Sequence, residues 1–265
     1  MLTAPSVSAQ HQRASVLALR LSLGTYHAVQ EALVEAARRR EARSVCFANV
    51  HMTVEATQDA RFAEAVNGAD WVLTDGMPLT WFINRQYGIR QERVAGIDML
   101  PDLVRRAAET GLSVFFFGST PEVLDQTVAV CRARHPQLTI AGTLSPPFRP
   151  LTDAEDEAMA AAIRASGAQL VFVALGCPRQ EYWMARMRHR IPAVLLGIGG
   201  ALPILAGTVS RSPGWMQRNG LEWVYRLAME PRRLFRRYAV TNTLFVLKAG
   251  RQLLAGRPSY PTYEP

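Results

Sequence analysis

Cysteine is scarce in this chain: Cys46, Cys131 and Cys177 lie far apart and form no C-x-x-C pair. That excludes a sequence-evident disulfide framework or zinc ribbon and suits a reducing cytoplasm. D-x-D, H-E-x-x-H and G-x-S-x-G are all missing, and the five histidines (11, 27, 51, 135 and 189) show no ligand spacing. No metal site and no cofactor are therefore expected. Residues 1–12 lack a basic segment leading into an apolar run, so no signal peptide is expected. Long uncharged stretches are also few. One, residues 191–210, is long enough to span a bilayer. It carries Gly197, Gly199, Gly200, Gly207, Pro192 and Pro203, a density that breaks a helix. It reads as a buried strand followed by a glycine-rich turn, in a soluble or peripheral protein.

What is present is enough for a sizeable core. Of 265 residues, 49% are hydrophobic and 20% charged, which excludes wholesale disorder. Charge is unevenly placed. Residues 1–210 hold 20 basic and 19 acidic side chains, whereas residues 211–265 hold 10 and 3, a net +7. A uniformly basic nucleic-acid binder is thereby disfavoured, and one cationic end needs a purpose. The expected division is an α/β domain over residues 1–210 and a basic helical appendage over 211–265.

Short apolar runs rich in β-branched and aromatic residues predict strands at 44–49, 71–74, 113–117, 138–141, 170–175 and 193–198. Amphipathic segments lie between them, such as 28–40, where Val29, Leu33 and Ala36 share a face. Thr120-Pro121-Glu122 and Thr152-Asp153-Ala154-Glu155 read as helix starts. Alternating strands and helices predict an α/β fold with a mainly parallel sheet, whose ligand sits beyond the carboxyl ends of the strands.

Five constellations fall at such places. In Leu73-Thr74-Asp75-Gly76, a carboxylate at a buried strand tip suits general-base chemistry, and equally an N-cap of the next helix. In Arg93-Val94-Ala95-Gly96-Ile97-Asp98, the charged residues suit phosphate or sugar hydroxyls, or a loop ending in a cap. Gly176-Cys177-Pro178-Arg179-Gln180-Glu181 puts polar side chains at a helix start, where Gln180 can bond a sugar and Glu181 favours the first turn. Gly197-Ile198-Gly199-Gly200 is half a dinucleotide fingerprint, a weak nicotinamide signal. Arg226, Arg233 and Arg236 share a helical face if Pro231 only kinks the chain, making a diphosphate clamp, a membrane patch or a solvated basic face. His51, beside a strand end, reads as structural.

Together with Asn49, Phe117-Gly118, Arg211-Ser212-Pro213 and Glu222-Trp223-Val224-Tyr225-Arg226, these blocks resemble the WecG/TagA/CpsF family of bacterial glycosyltransferases, from about Arg43 to Arg237. The resemblance implies a Rossmann-like domain whose C-terminal appendage completes the site. It implies transfer from a UDP-sugar to a polyprenyl-diphosphate-linked sugar at the inner membrane face, in cell-surface polysaccharide synthesis. Asp75 becomes the general base for inverting displacement. Asn49 and Gln180 match polar pocket positions, and Arg226, Arg233 and Arg236 match arginines that meet the diphosphate in place of a metal. Thr74, Gly76, Arg93, Asp98, Gly118, Glu181 and Gly199 complete the expected substrate-binding set. The partners implied are donor, acceptor and membrane, with no nucleic acid; a homo-oligomer stays open. Two positions depart from the family pattern: Phe47 where a Thr is frequent, and Leu202-Pro203 where Phe-Asp is frequent. Both fall near the expected pocket, which leaves donor and acceptor sugars open. A non-catalytic nucleotide- or nucleic-acid-binding α/β protein is the alternative.

Overall fold

In a computed structural model describing residues 12–256, the strands Trp71–Thr74, Leu170–Ala174 and Val194–Gly197 are buried at every position. Strands buried on both faces read as continuous apolar runs, the mark of a parallel sheet covered by helices. The sheet has six strands: β3 (Arg43–Ala48), β4 (Trp71–Thr74), β5 (Ser113–Gly118), β6 (Thr139–Leu144), β7 (Leu170–Ala174) and β8 (Val194–Gly197). Their order is β4-β3-β8-β7-β5-β6, and every pairing is parallel. The architecture is Rossmann-like, as the sequence predicts. β6 starts and ends later than expected, running to Leu144 with a register irregularity against β5 at Val114 and Phe115.

Side chains alternate between two core layers, as a period of two requires. Val45, Phe47, Phe116, Leu170 and Phe172 face one layer, with α1 (Tyr26–Arg38), α5 (Gly96–Thr110), α6 (Pro121–Arg134) and α9 (Leu202–Leu205). Cys46, Ala48, Phe117, Val171 and Val173 face the other, with α2 (Val50–Glu55), α3 (Ala60–Asn67), α4 (Met77–Tyr87), α7 (Asp153–Ser166) and α8 (Arg179–Met187). Thr120 caps α6 and Thr152–Glu155 forms a complete capping box on α7. The stretch 191–210 is β8, a 3-10 turn at Gly199–Ala201, and α9.

A hairpin of β1 (Arg13–Val16) and β2 (Leu19–Ser22) precedes the sheet and was not expected. Its turn holds Leu17 at φ 53° rather than glycine or asparagine, so the usual hairpin signal is absent. Tertiary contacts fix it: the Arg13 guanidinium donates to the carbonyls of Asn67, Ala69 and Asp70.

After α10 (Gly214–Arg218), the basic segment corrects one expectation. Residues 221–237 form two helices, α11 (Glu222–Met229) and α12 (Pro231–Leu254), because Glu230 leaves helical geometry at φ −133°, ψ 59°. The chain turns there, with Trp223 edge-on to Tyr238 at 6.0 Å. Arg226 and Arg236 consequently share no single helix face. α12 packs against α2, burying Phe245 and Ala249 in the second core layer. Its Lys248 ammonium donates to Thr57 Oγ1 at 2.7 Å, and the Gln252 carboxamide pairs with Leu17 N–H and Ser15 C=O. No helix among the described residues is long and apolar enough to cross a membrane. The sequence, with three prolines over 256–265, predicts a dangling tail there; all of it after Gly256 lies outside the described residues.

Candidate active site

Four neighbouring strands, β4-β3-β8-β7, end on one cavity of about 1110 Å³. At the usual strand spacing these ends span about 15 Å, and each delivers a residue to the cavity: Asp75, Asn49, Gly199 and Gln180 in that order. α4, α11 and α12 supply the opposite wall. Residues remote in sequence thus meet because the strand order makes them neighbours.

Asp75 follows β4, its N–H bonded to Ala48 C=O at 2.9 Å. It does not cap α4, whose N-cap is Gly76 without a side-chain bond. Its Oδ1 instead accepts the N–H of Gly96, the first residue of α5, at 3.2 Å. Its carboxylate therefore satisfies the first N–H of the adjacent α5 rather than capping α4. Burial pushes the Asp75 carboxyl above the ordinary aspartate range; Arg93 and Arg226 pull it down, and Glu222 pushes it up. A desolvated carboxylate beside an open cavity is suited to take a proton.

Each nitrogen of the Arg93 guanidinium, which also lines the cavity, has a protein partner. The guanidinium donates to Asp75 C=O at 2.7 Å, to Asp98 at 2.9 Å and to Glu222 at 2.6 Å. Asp98 also pairs with Arg211, whose Nε lies 4.0 Å from Glu222. Two arginines and two carboxylates thus tie the strand-end loops to α11. Arg93 and Asp98 lock the site's two walls together through this cluster. Thr74 acts likewise: it is buried, and its hydroxyl and carbonyl hold Glu92 C=O and Val94 N–H.

Asn49 caps α2 through Oδ1 to Met52 N–H at 3.2 Å. Its Nδ2 has no partner among the described residues and remains available at the cavity. Gln180 bridges two strand ends: Oε1 accepts Gly176 N–H at 3.2 Å, while Nε2 donates to Gly197 C=O at 3.1 Å and to Glu181 at 2.9 Å. With both amide hydrogens engaged, it can offer a substrate only the second lone pair of Oε1. Glu181 is 1% exposed and lies behind this bridge, outside the cavity lining. Burial raises its carboxyl to about 7, with the raised Cys177 thiol beside it.

Gly118 is absent from the cavity. It has φ +105°, and a Cβ there would come within 2.6 Å of the Ala174 backbone, so the glycine serves the close approach of β5 to β7. Gly76, Gly199 and Gly200 do line it, and a Cβ on Gly200 would lie 3.7 Å from an Arg226 guanidinium nitrogen.

Of the expected arginines, Arg226 lines the cavity and has no hydrogen-bond partner among the described residues. Arg236 is exposed and does not line it. The Arg233 side chain lies outside the described part. Arg237, which falls off the face that Arg226, Arg233 and Arg236 would share on one helix and from sequence alone suits membrane docking, lines the cavity with its guanidinium 5.4 Å from the Tyr238 ring centre. His51, read as structural, also lines it. Its buried Nδ1 has no hydrogen-bond partner, and burial with Arg237 nearby holds its pKa below the ordinary histidine value. The only sequence signal for it was its place two residues after Asn49. Phe47 lines the cavity and packs on Gly96, where a Cβ would meet its ring at 3.3 Å. Leu202 is buried in the first core layer, and neither it nor Pro203 reaches the cavity.

A family model described as the glycosyl transferase WecG/TagA/CpsF family matches residues 14–259. The chain belongs to that family. It is accordingly a glycosyltransferase of cell-surface polysaccharide synthesis, with a sugar donor and an acceptor as substrates. Seen in that light, the motif blocks divide into two kinds in this glycosyltransferase. Asp75, Asn49 and Arg226 present groups to the cavity, whereas Thr74, Arg93, Asp98, Arg211 and Glu222 build the frame that holds them.

Proposed function

We propose that this glycosyltransferase inverts its sugar, moving it from a UDP-sugar to a polyprenyl-diphosphate-linked acceptor at the inner face of the cell membrane. The observation that carries the reading is the half-buried Asp75 carboxylate, raised by desolvation, facing a cavity that also holds the unpaired Arg226. Asp75 takes the proton of the acceptor hydroxyl as its oxygen attacks the anomeric carbon. The bond from that carbon to the UDP oxygen breaks, and UDP leaves with the electron pair. Arg226 meets the charge growing on the diphosphate, the role preorganised cations serve in transferase sites. Arg233 is a further candidate for that role, Arg236 lies away from the cavity, and Asn49 and Gln180 orient the sugars.

No group of three His, Cys, Asp or Glu side chains suited to a metal occurs among the described residues, and the reading assigns leaving-group charge to arginine. Membrane association is supported by the net +7 of residues 211–265 and by exposed apolar side chains such as Trp215 (54%) and Phe235 (67%). Each basic residue near an anionic surface contributes about 1 kcal/mol. The test offers the purified chain a panel of UDP-sugars with a polyprenyl-diphosphate-sugar acceptor, with and without EDTA. Transfer that persists in chelator is expected. A donor other than a UDP-sugar, or activity lost in EDTA and restored by Mg²⁺ or Mn²⁺, overturns the corresponding part.

A further inference from the structure

One face of α12 lines the cavity for most of the helix length, at Arg237, Tyr238, Thr241, Asn242, Phe245, Val246, Ala249, Gly250 and Leu253. From first to last this stripe is about 24 Å long at 1.5 Å per residue. Its character changes along the way. The four residues nearest α11 are polar or charged, and the five beyond are apolar or glycine. α4 forms the facing wall with Met77, Pro78, Trp81, Phe82 and Arg85; only the exposed Arg85 is charged. Both helices lead away from the strand ends, and their far ends meet where Gln86 Nε2 donates to Gly256 C=O at 2.7 Å.

Gly250 sits inside this helix without a conformational or packing reason. Its φ is not in the left-handed region, and a Cβ built there would meet nothing within 4 Å. A glycine in a helix interior is less favourable than alanine, so what it preserves is open space in the groove. Val246, 67% exposed, flanks the same opening.

We propose that the groove between α4 and α12 seats the hydrocarbon chain of the acceptor, with Arg237 and His51 at its diphosphate end. A cationic mouth leading into an apolar channel matches a prenyl diphosphate in both charge and polarity. A free nucleotide or an unlipidated sugar would leave the apolar half unfilled. The proposal rests on the reading that the acceptor is lipid-linked, and it adds where the lipid lies and which residues hold it.

Calorimetric titration of the full chain with farnesyl diphosphate and with inorganic pyrophosphate tests it without requiring turnover. Farnesyl diphosphate is expected to bind at least about tenfold more tightly, the equivalent of fewer than two buried methylenes. Gly250→Phe fills the groove and is expected to remove most of that preference while leaving pyrophosphate binding unchanged. Val246→Asn, at an exposed position, is expected to weaken the preference about threefold and carries the test if Gly250→Phe fails to fold. Equal binding of the two probes by the wild type, or a full preference retained in the folded variants, overturns the groove assignment. A separate transfer assay tells this failure from that of the parent reading. Transfer to prenyl-diphosphate sugars that is indifferent to both substitutions removes the groove alone. Binding preference without transfer to prenyl-diphosphate sugars removes the proposed donor and acceptor reaction alone.

Discussion

The two walls of the cavity are held in different ways. On the strand-end wall, Thr74, Gln180 and Asp75 are each bonded to backbone groups of neighbouring segments. On the helical wall, α11 has no buried residue, and it is tied down by the cluster of Arg93, Asp98, Arg211 and Glu222. A preorganised wall suits a proton transfer that fails with small misplacement. A helix held by a few partly exposed ion pairs, as α11 is, can yield to a large substrate.

The sharpest way to break this contrast is to alter chemistry on the rigid wall without altering structure. Asp75→Asn is expected to lower turnover about 10²–10⁴-fold, with thermal stability little changed because asparagine Oδ1 can still accept the Gly96 N–H. In the wild type, kcat/KM is expected to fall with decreasing pH through a pKa above the ordinary aspartate value of 3.8, since burial raises Asp75. A variant turning over at the wild-type rate would remove Asp75 from the mechanism.

Behind the same wall, Glu181 has a carboxyl raised from 4.5 to about 7. A raised carboxyl binds its proton more tightly in the folded chain, so stability is full below the unfolded pKa and declines as pH rises toward the folded one. Denaturant titrations between pH 4.5 and 7 are expected to show about 3 kcal/mol of loss from this group. Glu181→Gln should flatten that slope; an equally steep slope in the variant would assign it elsewhere.

On the helical wall, Arg226→Ala is expected to cost about 10²-fold in turnover, the usual effect of removing one preorganised donor. Arg236→Ala, away from the cavity, should leave turnover in detergent within about twofold and weaken only binding to anionic vesicles. Equal losses in both variants would return Arg236 to the site. The smallest effect is expected from Glu222→Gln, which loosens the tie between walls. With side chains about one-fifth exposed, the stability loss should be about 1 kcal/mol. Limited proteolysis should then cut between α10 and α12 sooner, and a rise in acceptor KM should exceed the fall in kcat.

The sheet was legible because its strands are short apolar runs bounded by polar tips, and those tips carry Asn49, Asp75 and Gln180. Order along the chain, however, does not reveal order across the sheet. That Gly118 leaves the site while Gly199 joins it follows from β5 lying beyond β7 in the sheet. The face of Arg226, Arg233 and Arg236 was misread because one residue, Glu230, turns the chain where a continuous helix was assumed. Arg237 and His51 were not placed at the cavity from sequence because they meet there only through α12 packing on α2, a contact between segments nearly 200 residues apart. The hairpin before the sheet offered no turn residue to find, since its own Arg13 ties it to residues 67–70 and Gln252 of α12 bonds its turn.

The joint between α12 and α2 also carries a chemical singularity. Lys248 is the only lysine in the sequence; the other 29 of its 30 basic Lys and Arg side chains are arginine. Its ammonium is engaged with Thr57 at that joint. An amine-selective acylating reagent therefore finds one side-chain target in the whole chain, placed where the last helix meets the core. Because that amine is partly exposed and hydrogen-bonded to Thr57, a change in its labelling rate with and without lipid or substrate reports a change at this joint, and no engineered probe is needed.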